Sequence, residues 1–160
     1  MNRQNTLAAI AASLLLLSLA LPGGDAAAQG AKQLVGSWTA VSADAYNPSP
    51  RGMLIFSADG HYSLTIAKSS LPKFASNSRL KGTADENQAV IGGSITHFGK
   101  YTVNDKDKTI TFNIEGSTYP NWDRTTQTRP YSVSGDQLKY AVAAPSGGGK
   151  GGEVVWKRRK

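Results

Sequence analysis

His97 and Glu115 are side-chain types that can move protons on a bound small molecule, and they are the candidates for catalysis in this 160-residue chain. Nothing in their spacing demands that role. The chemistry around them is restricted. The chain has two histidines, His61 and His97, and no cysteine. A metal site asks for three or four ligands, and adding Glu115 gives no recognisable ligand spacing. No metal and no cofactor are expected. A Gly-x-Ser-x-Gly nucleophile elbow is absent. The glycine-rich stretch at 147–152 lacks the Lys-Ser/Thr ending of a phosphate loop and opens no helix, so it reads as a flexible hairpin connection.

Alternation along extended chain sorts the polar candidates into faces. His97 shares a face with Gly99, Tyr101 and Val103. Thr111, Asn113 and Glu115 share another, and Gln127, Arg129, Tyr131 and Val133 a third. If all three point inward, an interior would gather His97, Tyr101, Asn113, Glu115, Arg129 and Tyr131, with Glu115 pairing with Arg129. Two other arrangements fit the same alternation. The opposite faces could point inward, lining the interior with Ile110, Phe112 and Ile114. The polar faces could also form a satisfied network that holds no ligand. Tyr101, Asn113, Arg129 and Tyr131 are the strand-borne candidates for ligand contact. Trp122, in the loop Tyr119-Pro120-Asn121-Trp122, joins them at a barrel mouth.

The elements that must position these residues are short alternating runs separated by turn signals. The runs are Leu34 to Ala43, Gly52 to Ser57, His61 to Ala67, Ile95 to Val103, Thr109 to Glu115, Thr126 to Val133, Gln137 to Val142 and Glu153 to Arg158. Ser57-Ala58-Asp59-Gly60 carries the Asp-Gly hairpin signal. Thr83-Ala84-Asp85-Glu86 matches a capping box and predicts a short helix from Ala84 to about Val90, ended by Gly92-Gly93. Eight strands joined mostly by tight turns favour an antiparallel meander. Closing it into an up-and-down barrel removes the exposed edges and leaves room for side chains or one small ligand. An open sandwich gives the same strand signals.

The first residues read as an export signal. Arg3 precedes an apolar run from Leu7 to Leu21, and Ala26-Ala27-Ala28 offers a small-residue cleavage site. Cleavage is expected after Ala28, leaving residues 29–160 as one domain with no membrane span and a periplasmic or secreted location. With no cysteine, burial and hydrogen bonding must carry the exported fold. The net charge of +7 owes much to the tail Lys157-Arg158-Arg159-Lys160, which reads as a solvated end. Basic and aromatic residues do not interleave, so nucleic acid is not an expected partner. No motif names a protein partner.

The order of several segments resembles a known family. Leu34-Val35-Gly36-Ser37-Trp38 is similar to the Gly-x-Trp element that opens lipocalin barrels. With Pro50-Arg51-Gly52-Met53-Leu54-Ile55-Phe56, Ser57-Ala58-Asp59-Gly60-His61, Phe98-Gly99-Lys100-Tyr101, Glu115-Gly116-Ser117, Pro120-Asn121-Trp122 and Val154-Val155-Trp156, the chain resembles the bacterial and fungal lipocalin-like domain family. The resemblance spans nearly all of the chain after the signal. It implies an all-β, eight-stranded barrel around a cavity for a small, largely apolar molecule. It further implies that Gly36 and Trp38 lie at the closed end, with Arg158 stacked on the Trp38 indole, or Trp156 in its place as partner. Related members often carry His-His before the Glu-Gly-Ser element. Here those positions are Phe112 and Asn113, so chemistry resting on that pair is not expected.

Three functions follow as expectations. The first is binding of a small hydrophobic or amphipathic molecule. The second is an isomerase, cyclase or hydrolase built on His97 and Glu115. The third is a protein-binding barrel with a packed interior.

Overall fold

The computed structural model describes residues 23–160. The expected signal segment lies outside the described residues as far as residue 22. Residues 23–28 begin a helix, α1 (Gly23–Leu34), whose alanine-rich sequence favours that conformation. After α1 come β1 (Gly36–Ala43), β2 (Arg51–Phe56), β3 (His61–Ala67), α2 (Ala84–Gly93), β4 (Ser94–Asn104), β5 (Thr109–Ser117), β6 (Thr126–Ser134), β7 (Gln137–Val142) and β8 (Gly152–Arg158). No described helix is long and apolar enough to cross a membrane.

Each strand pairs antiparallel with its sequence neighbour, and β8 returns to β1, closing the barrel. The open-sandwich alternative is thereby excluded. The alternation that marked the strands is visible in burial. Tyr62, Leu64 and Ile66 of β3 are buried while His61, Ser63 and Thr65 are exposed. Trp38, Leu54, Phe56, Ile110, Phe112, Leu138, Tyr140 and Trp156 fill the interior.

The meander gives the barrel two unlike ends. One end carries the turns after β2, β4 and β6, together with α1. Leu34 is buried there, and the Trp38 indole donates to its carbonyl at 2.8 Å. Arg158 lies 4.1 Å from the Trp38 ring and donates to the Val35 and Gln33 carbonyls. Gly36 has φ +125°, a conformation that L side chains rarely adopt, and a Cβ there would press on the Arg158 guanidinium. This end is closed.

The opposite end carries the connections after β1, β3, β5 and β7. The longest holds α2, whose capping box is formed by Glu86 N donating to Thr83 Oγ1 and Thr83 N donating to Glu86 Oε2. Ala75 N also donates to Glu86, which ties the preceding loop to the helix. These backbone donors hold the Glu86 carboxyl below its usual pKa.

Candidate functional site

The interior toward the open end is an aromatic cage around two nitrogen-bearing side chains. Alternation along β4 turns His97 inward, where it is 1% exposed. Its Nδ1 is 2.9 Å from the Tyr62 hydroxyl of β3. The Trp122 ring, carried on a short 3-10 turn between β5 and β6, stands edge-on to it at 5.7 Å. Burial, helped by the positive charge of Arg129, pushes the His97 pKa down to about 3. The imidazole is therefore neutral across the physiological range. Burial likewise raises the pKa of Tyr62, opposed by Arg129.

Arg129 enters from β6 and is 4% exposed. Its guanidinium lies between the rings of Phe112, at 4.9 Å, and Tyr140, at 5.0 Å. One nitrogen, Nη2, donates to Gln127 Oε1 at 2.6 Å. Its Nε is buried without a partner, and so is the indole nitrogen of Trp156. Trp156 faces the interior beside Tyr140 at 6.3 Å. Tyr140 is itself buried, which raises its pKa against the opposing charge of Arg129.

Above this layer a recess of about 230 Å³ opens at the barrel mouth. Trp122, Gln127 and Arg129 line it together with Val142 and Ala143. The barrel below is filled by Phe56, Phe112, Tyr140 and Trp156. The room for a ligand is a cup at the mouth, above the packed rings. A larger hollow, about 450 Å³, lies on the outer face of β5 and β6 along Asn113, Glu115, Arg124 and Thr126. It is open to solvent, and neither His97 nor Arg129 lines it.

The predicted site residues therefore separate into three groups. His97, Trp122 and Arg129 come together near the recess. Tyr101 and Tyr131 point inward but belong to the closed end. The Tyr101 hydroxyl donates to the Ser57 carbonyl at 3.0 Å, and that of Tyr131 to Asp105 at 3.1 Å. Burial and the Asp105 carboxylate push Tyr131 up to about 12. Asn113 and Glu115 face outward, since Ile110, Phe112 and Ile114 take the interior positions of β5. Asn113 accepts from Thr126 Oγ1 at 3.0 Å, and Glu115 is exposed and makes no ion pair with Arg129. The faces do not turn in together, as the candidate cluster required. β4 and β6 present their polar faces inward and β5 its apolar one. The pairing of His97 with Glu115 and of Glu115 with Arg129 is not made.

The site also includes Tyr62, Gln127 and Tyr140, which sequence reasoning did not select as site residues. Tyr62 and Tyr140 alternate with core residues, and that pattern reads as packing. Gln127 carried a signal, since it shares the Arg129 face. Among the described residues no group of three His, Asp or Glu side chains converges to hold a metal. What the arrangement offers is an aromatic cup with a buried cation and neutral hydrogen-bonding groups.

Residues 36–159 match the family of lipocalin-like domains. Among curated proteins, a 4'-hydroxy-3'-methoxypropiophenone carrier protein of Aspergillus oryzae is 28% identical over 89 residues, covering 52% of this chain and 80% of that protein. No solved structure matches the chain.

Proposed function

The chain belongs to the lipocalin-like domain family, and on that premise we propose that it is a carrier for a small, largely apolar molecule held in the cup at the barrel mouth. The observation that carries this reading is the recess itself, with an indole, aliphatic walls and a few polar groups in reach. Burial of apolar ligand surface supplies the affinity and the polar groups fix orientation. At about 230 Å³ the recess is smaller than the roughly 300–1,000 Å³ of sites for drug-sized ligands, so its occupant is on the scale of a single substituted ring. The related carrier is named for an aromatic ketone, which is of that size and kind. The packed interior below the recess favours the alternative of a protein-binding barrel, and the same experiment separates the two.

Native mass spectrometry of the protein purified from its own host, beside an Ala143→Trp variant that fills the recess, tests the proposal. A small molecule that travels with the unaltered protein and is lost from the variant is the expected result. A bare mass for the unaltered protein, joined by a co-purifying polypeptide, would sink the carrier reading. We further propose export, with cleavage after Ala28 and a periplasmic or secreted location. Arg3, the Leu7–Leu21 run and Ala26-Ala27-Ala28 support it. An intact mass beginning at Gln29 is expected for the exported form, and retention of residue 1 in that fraction would refute it.

A further inference from the structure

The cation at the floor of the recess has no counter-charge among the described residues. Arg129 forms no ion pair among the described residues, and the five salt bridges there all lie elsewhere. A guanidinium has five N–H donors. One hydrogen bond, to Gln127, two ring faces and the nearby Tyr140 hydroxyl meet it, none of them a charge, and Nε is left without an acceptor. Cation–π contact offsets part of the cost of taking the charge out of water. A buried charge is ordinarily paired as well, because its attraction to an opposite charge is strong where water is excluded. The surrounding groups do not provide one. His97 is neutral, and burial holds the Tyr62 and Tyr140 hydroxyls in their protonated forms. Glu115, which could have served, faces out of the barrel. The recess that Arg129 lines is open to an approaching group.

We propose that the ligand itself carries the missing charge: a small aromatic ring bearing one anionic oxygen group, with the anion on Arg129 and the ring against Trp122. This rests on the carrier reading and adds the ligand's charge to it. Guanidinium suits such a group because its planar fork matches the geometry of a carboxylate or phenolate oxygen. Gln127 acts as a positioning residue, since its side-chain carbonyl holds one arm of the fork and leaves the others free to turn toward the recess.

Calorimetric titration of the full chain with benzoate and with benzamide tests this, because the two share ring and size and differ in charge. Benzoate is expected to bind roughly tenfold to a hundredfold tighter, as a hydrogen bond to a charged group provides. Arg129→Met should remove that preference, and Arg129→Lys should keep part of it. Equal binding of the two compounds to the unaltered protein would overturn the anion assignment and leave the carrier reading standing. If neither compound shifts the Trp122 indole resonance, both readings fall. A preference that persists in a folded Arg129→Met protein would remove Arg129 as its cause. The ratio measured on the unaltered protein decides the matter even if that variant does not fold.

Discussion

His97 is held neutral by its surroundings, and this couples folding to pH. In the unfolded chain the imidazole titrates near its ordinary 6.5, and in the barrel near 3. Between those values the unfolded state binds a proton that the folded state refuses. The contribution to stability is therefore complete above about pH 6.5 and is lost as pH falls toward 3. Replacing the ring with an uncharged amide in His97→Gln should flatten that acid limb by up to about 1.4 kcal/mol per pH unit. Urea unfolding at a series of pH values checks it, and an unchanged slope would place the acid sensitivity in other groups. His97 and Arg129 were legible as site candidates because alternation places each on a strand face with other polar residues, and Trp122 because it stands on a mouth loop. Asn113 and Glu115 looked equally polar. What decided their direction was their apolar neighbours, since Ile110, Phe112 and Ile114 bury far more apolar surface than the alternate face can.

At the scale of the element, the pairing of β4 with β5 shows why alternation alone does not orient a strand. Phe98 pairs with Gly116 and Gly99 with Ile114, so Glu115 is an extra residue in a bulge. Such a bulge changes which residues lie opposite one another, and nothing in the run from Thr109 to Glu115 announces it. Its mark is Gly99, with φ +156° and its α-carbon against the facing strand. A Cβ there would overlap the Asn113 carbonyl oxygen and sit 2.8 Å from Glu115 N. Both obstacles are backbone and cannot swing aside. Gly99→Ala is expected to destabilise the barrel by about 2 kcal/mol or more, measured by chemical denaturation. A neutral effect would mean that the bulge relaxes freely. The helix α2 was readable in advance because its signal is local, in the reciprocal contacts of Thr83 and Glu86. Helix α1 was not, since its residues also satisfy the pattern of an export signal's end.

For the whole molecule, closure depends on the join between the first strand and the last. The pairing runs from Trp38 opposite Arg158 to Ala43 opposite Val154, with one irregularity between Ala40 and Ser42. Arg158 braces this seam by stacking on Trp38 while bonding two carbonyls of the segment that leads into β1. Arg158→Met keeps much of the aliphatic contact and removes both donors, leaving those carbonyls to water or to nothing. A loss of roughly 1–3 kcal/mol is expected from thermal or urea unfolding. Hydrogen exchange should quicken first in β1 and β8, and uniform protection across all strands would contradict a seam role.

Because β8 ends at the rim where β1 begins, with Arg158 opposite Trp38, the path of the polypeptide is separable from the order of staves around the cylinder. A short bridge from β8 to β1, with the chain opened instead in the glycine stretch at 147–149, would preserve every neighbour relation in the sheet. Sequence position is thus a convention here, and the ring of eight has no intrinsic first member.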